Sequence, residues 1–578
     1  MSVRIGGAAL ALRILLLVFV LCLVVSAVAT AAPNYDQSPF GVNYLKWHYF
    51  DHPGGLDELR TKMRVMKDAG IYWDRDAFDY GDVHPKPDVW KWDFTDKCVA
   101  LAKEEKINLI VILMGGPTPR DEATRKAYGE YVYQVVNRYK DYIKIWEIWN
   151  EPNIPSFWQD PDAKLYVQLM KVAYAQAKRA DPTCTVIVGS TSGPGTDWFN
   201  GIFDSGGWDY CDGISIHPYG MASGPIEQGL DESLRLLKKQ IASFGKPKPI
   251  WTTEVGWQAS SPDQEKAQAA RIVRTYIIHL ANGIQNMAYF CMDDYDNWGF
   301  VEREKPLETK LAYKAIATMT KALGSPGKCA KFEGYLKMPE GVACYVFSKS
   351  GNERVLFLWS NDSQTHTIPL PQKRGLTIDG AAGGTVATAG GRLLVGPDPI
   401  IITDADADKI GTVSSVYNPY LRKPGRNILI NPAMDADGKA PHGWSPGRFF
   451  GSDNKGRLEA SSEGRFGTTC VSISKSSAPA AWDASPIPVD PGKTYTLSAW
   501  IKTKDATGRN LIALYWYSGN QWTCLGSPSS ESTTGTHDWT KVTVRAKPPR
   551  DAAMVRVNLI SEDNSGTTWF DDVALTEE

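Results

Sequence analysis

The chain has no Cys-x-x-Cys pair and no cluster among its eight histidines, which removes the usual ligand patterns of a zinc site. It has almost no net charge. Its 63 Lys and Arg against 65 Asp and Glu leave −2, so the balance gives no reason to expect a nucleic-acid partner. Past the first thirty residues no apolar run is long enough to span a bilayer. A glycine-rich phosphate turn after an early strand is also missing, which counts against the doubly wound open sheet, the second-ranked fold. Aromatic surface, by contrast, is plentiful, with 20 Trp and 25 Tyr in 578 residues. Most of it belongs in cores, but sugar-binding clefts also use aromatic faces. With 43% hydrophobic and 22% charged residues the chain is globular, and its length predicts two or three domains.

The N-terminus reads as an export signal. Arg4 and Arg13 precede an apolar run from Ile14 to Val25, followed by the small residues Ser26-Ala27-Val28-Ala29-Thr30-Ala31-Ala32. Cleavage after Ala29 or Ala31 fits this pattern, giving a signal peptide over 1–31 and a secreted protein, extracellular or periplasmic, without stable membrane insertion. An uncleaved single-span anchor is the alternative. Leu21 before Cys22 is not small, which counts against a lipoprotein signal. Eight cysteines remain, of which Cys329 with Cys344 and Cys470 with Cys524 are candidate disulfides. Cys184, Cys211 and Cys291 fall on or beside expected strands and suit buried thiols equally.

Residues 38–323 alternate regularly. Strand-like runs at Phe40–Tyr44, Ile71–Arg75, Asn108–Leu113, Ile143–Trp149, Thr185–Gly189, Gly213–His217, Pro249–Val255 and Ile284–Cys291 are each followed by a segment of helical periodicity. The last such helix is expected over Leu307–Leu323. This is the rhythm of an α/β (β/α)₈ TIM barrel over 32–325. Short alternating strands with Gly-rich turns then predict a small β-domain packed on the barrel over 326–403, and a polar linker over 404–425. Residues 426–578 are β-rich and nearly free of helical periodicity, as in a β-sandwich of jelly-roll type.

Two strings carry chemistry: Trp146-Glu147-Ile148-Trp149-Asn150-Glu151-Pro152-Asn153 and Trp251-Thr252-Thr253-Glu254-Val255-Gly256-Trp257. Each delivers a glutamate at the end of an apolar, β-forming run, on the expected strands four and seven. Hydrolysis of a glycoside with retention needs such a pair, one protonated near the leaving oxygen and one ionised at the anomeric carbon, about 5–5.5 Å apart. Glu151 is the expected general acid and base, and Glu254 the expected nucleophile. Glu147 reads as a salt-bridged strand residue.

The strings Trp-Asn-Glu-Pro and Thr-Thr-Glu-Val-Gly-Trp resemble the acid/base and nucleophile motifs of the clan A glycoside hydrolases, with a lean towards family 39. The resemblance covers about half the chain. It implies that Arg75 lies near the nucleophile, that Asn150 bonds the sugar 2-hydroxyl, that His217 and Tyr219 orient the nucleophile, and that Trp298 floors the first subsite. Trp257 is expected to line the cleft. The C-terminal region resembles family 4/9 carbohydrate-binding modules in its opening Asn427-Ile428-Leu429-Ile430-Asn431-Pro432 and its closing Trp569-Phe570-Asp571-Asp572-Val573. Such modules often hold a structural calcium, with Asp571 and Asp572 as ligand candidates here, and Trp516, Tyr517 and Trp522 are candidates for stacking on sugar rings.

The expectation is therefore an exported retaining β-glycosidase acting on a carbohydrate polymer or oligosaccharide, endo-acting, with no cofactor for catalysis and an oligomeric state the sequence leaves open. An exo-acting β-xylosidase is the rival among enzymes. A catalytically inactive glycan-binding protein is the rival from another class.

Overall fold

In this computed structural model, eight parallel strands close a barrel in sequence order: β1 (Phe40–Asn43), β2 (Trp73–Ala77), β3 (Asn108–Leu113), β4 (Ile145–Ile148), β5 (Thr185–Ser192), β6 (Gly213–His217), β7 (Ile250–Val255) and β8 (Met287–Tyr289). The structure describes residues 38–578 except 44–54, 117, 220–225, 246, 295, 303–304, 326–328, 350–352, 362–363, 370–376, 383–385, 387, 390, 404–411, 416–417, 421–424, 430–433, 435–439, 442, 447–455, 466–468 and 520–522. The export segment, Tyr44 and Trp522 lie outside the described residues, as do parts of the linker and of the module's opening. Pairing of β1 with β8, Phe40 opposite Met287, shuts the ring.

The helices follow as α1 (Gly55–Asp68), α2 (Asp93–Glu105), α3 (Glu122–Tyr139), α4 (Ala163–Ala180), α5 (Thr196–Asp204), α6 (Ile226–Ser243), α7 (Pro262–Ala281) and α8 (Leu311–Leu323). Their starts follow capping chemistry. The Asp121 and Asp162 carboxylates and the Ser261 hydroxyl accept from backbone N–H groups in the first turns of α3, α4 and α7. Several expected boundaries move, strands four and eight shortening to Ile145–Ile148 and Met287–Tyr289 and strand five extending to Ser192, and two of the shifts have a local cause. Strand β2 begins at Trp73, because the N–H of Ile71 still closes the end of α1 on the Met66 carbonyl. Helix α8 begins at Leu311, because Lys305–Thr309 pairs with Val301–Glu302 in a hairpin.

Inside the barrel the side chains stack in two layers. Trp73, Ile110, Ile145, Ile187 and Trp251 form an apolar floor. Two residues further along several of the same strands come Arg75, Glu147 and Thr253, which with Asn43 and His217 make a polar layer that is at most 0–1% exposed. Bulges at the mouth redirect the chain. On β5, Gly189 and Ser190 fall between the Val188–Ile214 and Thr191–Ile216 pairs. Gly189 is obligatory there, since at φ +107° an added Cβ would lie 2.9 Å from both the Phe199 ring and the Ser215 carbonyl. On β7, the register shifts between Thr252 and Val255, so consecutive residues Thr253 and Glu254 both turn into the site.

After the barrel, a six-stranded antiparallel sheet runs Thr377–Gly380, Ile400–Thr403, Arg354–Ser360, Val342–Ser348, Lys331–Leu336, Val413–Ser414. Its Tyr345, Phe347, Phe357 and Trp359 face joins the barrel core, and its Cys344, Val346, Leu356 and Ile402 face packs with Ile368, Leu393 and Val395 of a three-stranded sheet. The segment expected as linker thus supplies the sixth strand, and Asn418 within it donates to Asp231 of α6. Neither expected disulfide forms. Cys344, Cys470 and Cys524 are free thiols. Cys329 packs against the barrel core, whereas Cys344 points to the opposite face of the sheet, and Cys470 and Cys524 belong to different sheets of the sandwich.

The C-terminal sandwich packs one antiparallel sheet (Trp444–Pro446, Ala480–Ala484, Met554–Glu562, Arg509–Tyr517, Cys524–Gly526) on another (Arg457–Ser461, Cys470–Ser476, Asn564–Glu577, Tyr495–Ala506, Gly535–Ala546). Trp516 is 1% exposed within that core, packed edge-on against Tyr495 and closed to a sugar, and Tyr517 is buried as well. Asp571 accepts from the Arg465 backbone N–H and Asp572 pairs with the Arg465 guanidinium. Among the described residues no group of three or more His, Cys, Asp or Glu gathers to hold a metal ion. The sandwich sits against the outer helices of the barrel. Arg550 donates to both oxygens of Asp204 at 2.7 and 3.0 Å, Lys239 pairs with Asp490, and Asn200 donates to Asp551 at 2.7 Å.

On the first sheet of the sandwich, Asp483 is 1% exposed, and burial pushes its carboxyl up to about 7 despite Arg556 and Asn558 beside it. A carboxyl raised in the folded state stabilises the fold in its protonated form. That stability is complete below about pH 4 and is lost as the pH rises through 7. At pH 8 the loss amounts to about 4 kcal/mol. Asp483→Asn should therefore raise the sandwich melting temperature at pH 8 and leave it unchanged at pH 4, as calorimetry across that range will read.

Candidate active site

The carboxylates meet at the C-terminal mouth of the barrel, each carried by a distorted segment. Strand β4 ends at Ile148, three residues before Glu151, and the turn between them puts both Trp149 (φ +67°) and Glu151 (φ +39°) in the left-handed region. Non-glycine residues adopt it at about 1–2 kcal/mol each. The neighbouring bulge of β5 holds this turn. The Glu151 N–H donates to the Ser190 carbonyl at 3.1 Å, the Ser190 hydroxyl to the Trp149 carbonyl at 3.0 Å, and Asn153 bonds the backbone of Ser192 in both directions. Glu254 is carried by the bulge of β7.

Arg75 organises the floor of the site. Its Nε donates to Glu147 at 2.6 Å, Nη1 to Asn43 at 3.0 Å and to Glu254 at 2.9 Å, and Nη2 to Asn150 at 2.7 Å. A planar fork with five donors is what lets one side chain serve four acceptors. The second oxygen of Glu254 accepts from the Tyr219 hydroxyl at 2.9 Å. Each Glu254 oxygen thus accepts from one donor. His217 lies between the pair, its Nδ1 2.9 Å from Glu151 and 3.9 Å from Glu254. Tyr219 thus orients Glu254 as expected, whereas the hydrogen bond of His217 goes to Glu151. The Glu151 and Glu254 side chains keep 10% and 12% of their surface exposed, while Arg75, Glu147 and His217 keep none.

Trp298 packs edge-on against Tyr219 at 6.0 Å between ring centres and stays half-buried beside Glu254's strand. Gly256 passes between this ring and the Phe290 backbone: an added Cβ would lie 2.1 Å from the Phe290 carbonyl oxygen and 3.2 Å from the Trp298 ring. Trp257 is half-buried and packs against Tyr289 of the barrel core. Glu147 is the salt-bridged strand residue that the sequence implies. The sequence reading misses Asn43 and Thr253. Asn43 accepts from Arg75 and donates to the Thr253 carbonyl, and the Thr253 hydroxyl donates to Glu147 at 2.8 Å. The available signal was alternation: both residues face the lumen in step with the polar layer.

Arg75→Ala would leave Glu147 buried without its counter-charge. Loss of one partner from a buried pair typically costs about 3–5 kcal/mol, so a lowered urea midpoint with unchanged slope is expected together with loss of activity.

These features define a carbohydrate-active (β/α)₈ enzyme, and comparison with known proteins agrees. Residues 81–305 match the family model described as glycosyl hydrolase catalytic core, and residues 454–575 match a carbohydrate-binding-module 4/9 model described as BppA domain 1. A family 39 glycoside hydrolase from the gut symbiont Bacteroides cellulosilyticus WH2 is 21% identical, covering 64% of this chain and 82% of its own, with a TM-score of 0.53 and so a shared fold. A family 39 β-xylosidase from Caulobacter crescentus is 16% identical over 64% of this chain and 96% of its own, with a TM-score of 0.46. No curated protein sequence matches. The chain is a glycoside hydrolase whose catalytic barrel is followed by a small β-domain and a C-terminal domain of carbohydrate-binding type.

Proposed function

We propose that this enzyme is exported and cleaves β-glycosidic bonds within a carbohydrate polymer by double displacement, with retention. One observation carries the reading. Glu151 and Glu254 both lie within 4 Å of the same imidazole nitrogen, which keeps their nearest oxygens less than about 7 Å apart and lets the two carboxyls meet the roughly 5–5.5 Å spacing of a retaining pair. Glu254, which accepts from Arg75 and Tyr219, attacks the anomeric carbon. Glu151 protonates the departing oxygen, and as a carboxylate it then takes a proton from the water that releases the glycosyl-enzyme. Asn150 gives its oxygen to Arg75, so the group it offers a sugar is its NH₂, a donor suited to the 2-hydroxyl oxygen. Trp298 supplies an aromatic wall beside Glu254. This chemistry uses two carboxyls and water and calls for no cofactor.

Action within a polymer is supported by the carbohydrate-binding domain docked on the barrel, and export by Arg4, Arg13 and the apolar run that follows. Proton NMR of the first product tests the mechanism: the β-anomer must appear before mutarotation, and an initial α-anomer would sink the proposal. A steep fall in polymer viscosity per bond broken tests the internal mode of cleavage, whereas release of monosaccharide with viscosity preserved would indicate exo-action.

A further inference from the structure

Because a hydroxyl has one proton to give, the polar layer beneath Glu151 fixes its donors from Arg75 as far as His217 Nε2. Glu147 receives Arg75 Nε at 2.6 Å and is an acceptor. The Thr253 hydroxyl, 2.8 Å from the other Glu147 oxygen, must spend its proton there. The same Thr253 oxygen lies 3.1 Å from His217 Nε2, so it accepts, and Nε2 carries the hydrogen. Neutral His217 then presents a bare lone pair at Nδ1, aimed at Glu151 Oε1 2.9 Å away. That contact requires one proton between the two groups.

We propose that Thr253 and Glu147 are positioning residues that fix the tautomer of His217 so that Glu151 carries the proton it donates. The inference rests on Glu151 being the acid/base of the preceding section. In the resting enzyme the Glu151 O–H donates to Nδ1, and rotation of the carboxyl turns it to the glycosidic oxygen. As that proton transfers, the C–O bond breaks, Glu254 bonds to the anomeric carbon and the leaving group departs as an alcohol. The Glu151 carboxylate now faces an Nδ1 lone pair that has no proton to offer, so histidine does not stabilise its ionised form. It therefore takes a proton readily from the attacking water, which displaces Glu254 and restores the starting state. Among the described residues, the charged and titratable groups around this pair are Glu254 on β7, Tyr219 beyond β6, Glu147 on β4 and Arg75 on β2.

The test uses Thr253→Val, close in shape but unable to accept from Nε2. Released from that bond, His217 can place its hydrogen on Nδ1 and donate to ionised Glu151. The alkaline limb of kcat/KM should then move down by about one pH unit or more. The shift is read with an aryl glycoside of poor leaving group, relative to a dinitrophenyl glycoside that needs no acid. Taking the ratio within one sample makes the result independent of the folded fraction. Glu147→Gln, whose amide can donate to Thr253 and reverse the chain, should shift the limb in the same direction. Thr253→Ser keeps the hydroxyl and should keep the wild-type limb. An unmoved ratio in Thr253→Val and Glu147→Gln would overturn the inference, and so would an equal shift in Thr253→Ser. Glu151→Ala in the same assay separates the two levels. If it shows no dependence on leaving group, the acid/base assignment has failed. If it does while Thr253→Val matches wild type, only the tautomer chain has failed.

Discussion

Replacing Glu254 with alanine should lower turnover about 10⁵-fold or more, the scale seen when a covalent nucleophile is removed from an otherwise intact site. Every other part of the site would remain: Arg75 with Glu147, Asn43 and Asn150, the Tyr219 hydroxyl, and Glu151 on His217. The cavity left by the carboxylate is next to Arg75 Nη1 and the Tyr219 hydroxyl, two donors suited to a small anion. Added azide should therefore restore turnover of an activated aryl β-glycoside, with the α-glycosyl azide as product because only one displacement then occurs. Azide without effect on a folded variant, or an unreduced rate, would remove Glu254 from the nucleophile's role.

Glu151→Ala should divide substrates by leaving group. A poor leaving group needs the proton, and loss of general acid catalysis costs about 10²–10⁴-fold. A dinitrophenyl glycoside should still form the glycosyl-enzyme on Glu254, then stall because no base activates water. The expected trace is a burst of dinitrophenol followed by a slow phase. Azide, needing no base, should accelerate the slow phase and yield the β-glycosyl azide. The opposite anomers from the two variants make the assignments independent: the same azide anomer from both would refute one of them.

The rhythm of the barrel and the two glutamates are legible in the sequence because both rest on local pattern. Apolar runs alternate with helical periodicity from Phe40 to Leu323, and Asn150-Glu151-Pro152 and Thr253-Glu254 are contiguous strings. Arg75 and Tyr219 both donate to Glu254, and Asn150 accepts from Arg75. What is not legible depends on register. Strand periodicity predicts that Thr253 and Glu254 point to opposite faces, and only the β7 bulge brings both into the site. The position of His217 on Glu151 depends likewise on how β6 sits against the bulged end of β5. Trp516 looks like a sugar platform until alternation along Arg509–Tyr517 assigns it the inner face. The cysteine pairs fail for the same reason, since proximity in sequence says nothing of which face of a sheet each occupies.

The contacts of Arg550 with Asp204, of Lys239 with Asp490 and of Asn200 with Asp551 seat the C-terminal domain on the barrel helices. A module on a free tether samples many bearings and raises local substrate concentration without preferring any of them. A domain fastened to the barrel helices presents whatever glycan it grips at one offset and one polarity relative to Glu151 and Glu254. Its contribution is then directional as well as concentrating: a polymer strand bound in reverse would be carried away from the mouth.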